Sequence, residues 1–70
     1  MAWENSVYSS HVQSIGWDKA LGGMIVTWKS GKRSLYIGVT EELADEVSRA
    51  PSVGSMIGSE IKPNYEHRYI

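Results

Sequence analysis

The stretch from Met24 to Val39 constrains the fold more than any other part of the chain. Met24, Val26 and Trp28 alternate with Ile25, Thr27 and Lys29. Ser30-Gly31-Lys32 interrupts the pattern, and it resumes from Arg33 to Ile37 with Leu35, Tyr36 and Ile37. Alternation of period two on both sides of a glycine-bearing break is a β-hairpin signal. Two registers fit. A two-residue loop at Ser30-Gly31 pairs Trp28 with Arg33, Val26 with Leu35 and Met24 with Ile37. A three-residue loop with a glycine bulge sets Trp28 against Ser34 and Val26 against Tyr36. The choice matters because a slip of one residue turns every side chain to the other face.

The flanking segments extend this unit. His11 to Trp17 reads as a first strand, with Ile15 and Trp17 as the inward pair. Asp18 to Gly23 is a turn-rich connection, and the second and third strands are Gly23–Lys29 and Arg33–Gly38. Thr40 is a favourable N-cap, and Glu41 and Glu42 sit where the helix dipole favours anions. Leu43, Ala44, Val47 and Ala50 follow at helical spacing, and Pro51 stops the helix. Ser52 introduces a second helix with Val53, Met56, Ile57 and Ile61 on one stripe. Gly54 and Gly58 interrupt it, and close packing against another element is the expected reason. Tyr65–Ile70 is offered as a short fourth strand at the edge. The expected fold is therefore α+β: a small antiparallel three-stranded sheet in the order β-β-β-α-α, with two short helices on one face.

Seventy residues make a single domain, 1–70, in which Met1–Ser6 is expected to be frayed. A core this small supplies about 3–5 kcal/mol of net stability, and a homodimer would add buried area. There are no cysteines, which fits a reducing cytoplasm and excludes disulfide staples and thiolate metal sites. No run approaches the roughly 18 apolar residues of a membrane span, and Met1–Asn5 lacks the pattern of a signal peptide.

Catalytic chemistry finds no foothold. His11 and His67 are far apart in sequence and in no ligand spacing, so no metal site is expected. No serine lies in Gly-x-Ser-x-Gly, and Gly31-Lys32 lacks the upstream glycine of a phosphate loop. No cofactor and no enzymatic activity are expected. The basic residues are more suggestive. Lys29, Lys32 and Arg33 cluster at the hairpin tip beside Trp28 and Tyr36, and Arg68 and Lys62 extend the patch if the C-terminal segment folds back. Cations next to aromatic rings are the material of single-strand binding. Charged hairpin tips also serve simply to keep sheet edges from pairing with other chains. The net charge of −1 speaks against a nucleic-acid binder, which more often carries a basic excess.

Taken in order, Val7-Tyr8-Ser9-Ser10, Ile15-Gly16-Trp17-Asp18, Met24-x-Val26-x-Trp28, Ser30-Gly31, Tyr36-x-Gly38-Val39 and Ala50-x-Ser52-x-Gly54-Ser55, with Ile61 and Tyr65, resemble the KTSC domain. That domain is named for its occurrence at the C-terminus of some lysyl-tRNA synthetases. It also occurs as a stand-alone protein in bacteria and their phages. The resemblance implies Val26, Trp28 and Tyr36 on one face. The family's central Tyr-x-Tyr reads Ser34-Leu35-Tyr36 here. The synthetase context implies RNA binding. The first expectation is thus a non-enzymatic accessory domain that binds RNA or single-stranded DNA, with Lys29, Lys32, Arg33 and Arg68 on phosphates and Trp28 or Tyr36 stacking. The second is a small protein-interaction module, a phage or prophage product that modulates a host protein. Trp and Tyr suit interface anchors.

Overall fold

The computed structural model describes residues 2–70, which form β1 (Ala2–Ser6), β2 (Val12–Asp18), β3 (Gly23–Trp28), β4 (Arg33–Ile37), α1 (Glu41–Ser48), α2 (Val53–Met56) and β5 (Glu66–Tyr69). A π-helical turn, Ile57–Ile61, continues α2. The five strands form one antiparallel sheet in the order β1-β2-β3-β4-β5. The fold is α+β, as the alternation and helical spacing imply, but the sheet has five strands instead of three. Among the described residues no helix is long and apolar enough to cross a membrane.

The strands beyond the expected three lie at the two ends of the chain: the C-terminal one falls within the Tyr65–Ile70 segment offered as an edge strand, and the N-terminal one was not expected. Ala2–Ser6, expected to fray, pairs with β2 in the register Trp3↔Trp17. Met1 lies outside the described residues. What holds this segment is Trp3, whose indole Nε1 donates to the Glu41 carboxylate at 3.0 Å and so ties the first strand to the start of α1. At the far end, β5 pairs with β4 through Tyr36↔His67 and Ser34↔Tyr69.

The β3–β4 hairpin adopts neither register suggested by the sequence. Its pairs are Met24↔Tyr36, Ile25↔Leu35 and Val26↔Ser34. The loop is three residues, Lys29-Ser30-Gly31, closed by Trp28 N donating to Lys32 O at 2.9 Å. Gly31 takes φ +96°, the left-handed conformation that completes this turn. Lys32 consequently belongs to the strand side of the turn. The pairing is displaced by one residue from the two-residue-loop register and by two from the other. Because strand alternation has period two, the second displacement preserves the faces, and Val26, Trp28 and Tyr36 do share one.

That shared face holds the core. Val12, Ile15, Met24, Val26 and Tyr36 pack under Ala44 and Val47 of α1, Val53 of α2, and Ile57 and Ile61 of the π turn. A bulge in β2 makes this possible. The β2–β3 ladder passes from Val12↔Trp28 to Ser14↔Thr27, skipping Gln13 on one side only. Val12 and Ile15, which simple alternation would separate, are both fully buried.

Thr40 caps α1 as expected, its hydroxyl accepting from Leu43 N at 3.2 Å. The second helix departs from expectation. It is one α turn followed by a π turn, in which Lys62 N donates to Ile57 O at 2.8 Å. Gly54 and Gly58 are not there for close packing. A Cβ at Gly58 would meet nothing within 4 Å, and one at Gly54 only the Ser9 hydroxyl at 3.8 Å.

Candidate binding groove

The hairpin tip, the β1–β2 loop, the start of α2 and the C-terminal strand enclose a groove of about 760 Å³ on the helix-bearing side of the sheet. Local hydrogen bonds build its walls. In the β1–β2 loop the Ser9 hydroxyl accepts from the backbone N–H groups of His11 and Val12, both at 3.3 Å. The turn leaves Tyr8 fully exposed at the rim. Lys29 N donates to His11 O at 2.8 Å, which ties the hairpin tip to this loop. Ser52 donates to Ser55 Oγ at 2.9 Å on the opposite wall.

The charge of the lining is one-sided. Lys29, Lys32 and Lys62 all line the groove, and these are three of the chain's four lysines. No carboxylate lies among the lining residues. Each of two lysines stands over an aromatic ring. Lys62 Nζ is 5.7 Å from the Trp28 ring centroid, and Lys32 Nζ is 5.6 Å from that of Tyr69. Both distances fall within the roughly 6 Å of a cation–π contact.

A narrower slot of about 270 Å³ opens beside the groove and shares Trp28, Lys62 and Tyr69 with it. Its floor is Ser34 on β4, only 1 % exposed. The Trp28 indole Nε1 donates to Ser34 Oγ at 2.8 Å, and His67 Nε2 lies 2.8 Å from the same oxygen. His67 stands between Tyr36, at 5.1 Å between centroids, and Tyr69, at 4.6 Å edge to face. Burial, and after it the neighbouring Tyr69 phenol, raises the Tyr36 pKa above its ordinary 10.0.

The six residues suggested by sequence are thus divided. Trp28, Lys29 and Lys32 line the groove. Tyr36 lines the slot but is 2 % exposed, so its ring is part of the wall and is not open for stacking. Arg33 and Arg68 are on the opposite face of the sheet. Arg33 pairs with Thr27 and Arg68 with Leu35, so both fall on the alternate side from Ser34 and Tyr36. Proximity in sequence to the hairpin tip did not translate into a shared face. Lys62 does join the patch, delivered by the π turn. Tyr69 and His67 were not anticipated, although alternation in β5 puts His67 and Tyr69 together and Arg68 away from them.

The sequence profile of the KTSC domain matches residues 8–65. The chain belongs to the KTSC family. Its architecture is similar to the crystal structure of a KTSC domain protein from Yersinia pestis, with a TM-score of 0.86 and 26 % identity over 100 % of this chain and 99 % of that one. No curated protein matches the chain. In this KTSC domain both ends of the Ser34-Leu35-Tyr36 motif face the helix-bearing side, Ser34 under two ring edges and Tyr36 in the core.

Proposed function

We propose that this KTSC domain is a non-enzymatic accessory module that binds single-stranded nucleic acid in the groove. The observation that carries the reading is the segregation of charge: three lysines face one cleft, with aromatic rings among them and no carboxylate in the lining. A backbone of phosphates supplies the complementary charge, and exposed Tyr8 and Tyr69 offer ring faces to bases. The interleaving of lysines with rings matches the repeating phosphate and base of a single strand, which favours that polyanion.

The test is a fluorescence anisotropy titration of a labelled single-stranded oligonucleotide over a range of salt. Three neutralised phosphates predict a slope of log affinity against log salt of about −2. Lys62→Ala reduces the slope to about −1.4. Arg33→Ala and Arg68→Ala, on the other face, leave it unchanged. Salt-independent binding, or loss of binding through Arg33 and Arg68 instead of the lysines, overturns the reading.

A further inference from the structure

We infer that the slot bounded by Trp28, Ser34, Tyr36, Lys62, His67 and Tyr69 receives a single base of the strand lying in the groove. This rests on the nucleic-acid reading above and specifies how that ligand is held: by one inserted ring as well as by phosphates.

The slot follows from a small residue between large ones. Ser34 lies on β4, with Trp28 on β3 and His67 and Tyr69 on β5. Neighbouring strands are 4.7–4.9 Å apart, so side chains of β3 and β5 are rooted roughly 10 Å from each other across β4. A serine cannot fill that interval. The rings lean in at their edges to reach its hydroxyl and leave the space above open. The opening, about 270 Å³, lies at the small end of ligand clefts, which begin at roughly 300 Å³, and has room for one base. It shares Lys62, Trp28 and Tyr69 with the groove, so a base enters without taking its phosphates away from the lysines.

The Ser34 hydroxyl at the floor is held from two sides. An indole N–H can only donate, so Ser34 Oγ accepts from Trp28. His67 Nε2 lies 2.8 Å from the same oxygen, so the Ser34 hydroxyl is engaged by both rings. With the Ser34 hydroxyl already engaged by Trp28 and His67, the floor beneath the opening does not ask for one particular base edge. It asks for a flat ring. The slot therefore discriminates weakly among bases. Lys62 and Lys32 now rest over the rings at 5.7 and 5.6 Å. Exposed cation–π contacts of this kind are weaker than base stacking, so an entering base displaces the ammonium groups toward the phosphates.

The experiment compares a short labelled oligothymidylate with an abasic strand of the same length and charge, using the whole protein. Perturbing the ligand avoids any question of whether a variant folds. The abasic strand is expected to bind about tenfold or more weakly, with the same salt slope. Tyr69→Ala, at a position 64 % exposed, weakens binding of oligothymidylate but not of the abasic strand. An oligodeoxyadenylate binds within a few-fold of oligothymidylate. Equal, salt-dependent affinity for the thymidine and abasic strands overturns base insertion while leaving phosphate binding in the groove intact. Absence of binding by either strand at low salt overturns both and leaves the groove to a protein ligand.

Discussion

Ser34→Ala tests how much the polar node under the slot contributes to the domain. The substitution removes one oxygen and two hydrogen bonds of 2.8 Å, from Trp28 and with His67. A hydrogen bond between neutral groups contributes about 0.5–1.5 kcal/mol net. The heavier penalty for an orphaned buried donor does not apply, because Trp28 is half-buried and His67 is exposed, and each regains water. The expected loss is therefore about 1–3 kcal/mol. Set against the roughly 3–5 kcal/mol that a single small core supplies, this is a large fraction. At about 4–8 °C per kcal/mol for a domain of this size, the melting temperature falls by about 4–24 °C. Urea unfolding followed by tryptophan fluorescence measures it, with an unchanged m-value because no additional surface is exposed in the native state. Trp28→Phe removes the indole donor and some packing; the packing loss is common to both backgrounds, so the double variant loses less than the sum of the single ones. A Ser34→Ala protein within about 0.3 kcal/mol of wild type, with strict additivity, refutes the reasoning, since such a node contributes nothing.

Three further outcomes follow from individual positions. Gly58→Ala stabilises the domain by about 0.5–1 kcal/mol in the same urea assay, because the site is open and alanine reduces the entropy lost on folding; destabilisation means that the π turn requires glycine. Gly23→Ala does the opposite: its Cβ would sit against the Tyr36 carbonyl oxygen across the β3–β4 pair, and the expected cost of about 3 kcal/mol or more leaves little folded protein by circular dichroism. Tyr36 sets an alkaline limit. Its phenol pKa is raised in the folded state, so below pH 10.0 both states keep the proton and stability is intact; above it the unfolded chain ionises first, and stability falls as pH rises through the folded value. Tyr36→Phe flattens this alkaline loss in denaturation measured across pH, and an identical pH profile for the variant contradicts the assignment.

The residues that were legible in the sequence are those whose signal is local. Alternation identified β3 and β4, and Thr40 with Glu41 and Glu42 located the start of α1, because capping and side-chain periodicity operate within a few residues. β1 was not legible. Ala2–Ser6 carries one large apolar residue, Trp3, and its pairing depends on Trp17 and Glu41, which are distant in sequence. The bulge at Gln13 was equally hidden, since it exists only relative to β3. For the site, the same limit applies. Trp28, Lys29 and Lys32 lie within one turn and were found together. Arg33 was included for its place beside the hairpin tip and Arg68 on condition that the C-terminal segment folds back; it does, but strand alternation puts both on the other face. Lys62 and the return of β5 were suggested by sequence, but the meeting of Lys62, His67 and Tyr69 over Ser34 depends on the β4–β5 register and the π turn, which local patterns do not specify.

The net charge of −1 was the strongest sequence argument against a polyanionic ligand, and distance weakens it. The carboxylates nearest the start of α1, Glu41 and Glu42 with Asp45, form a separate surface beside Trp3. Trp3 pairs with Trp17 and Trp17 with Met24, two strands across and four residues along β3 from Trp28, so this surface is roughly 16 Å from the groove at about 3.3 Å per residue and 4.8 Å per strand. At physiological ionic strength the Debye length is about 8 Å, and the groove behaves as a cationic site; at 0.01 M it is about 30 Å, longer than the 28 Å long axis of the molecule. In water, one phosphate and one carboxylate at that separation repel by about 0.3 kcal/mol before screening. Three phosphates facing two carboxylates therefore lose about 1 kcal/mol at 0.01 M salt and a few tenths at 0.15 M. Replacing Glu41 and Glu42 with Gln, which keeps an acceptor for the Trp3 indole, should raise oligonucleotide affinity about fivefold at 0.01 M salt and less than twofold at 0.15 M. An equal gain at both salt concentrations would mean that these carboxylates touch the ligand directly, and no gain at low salt would mean that the strand lies elsewhere than in the lysine groove.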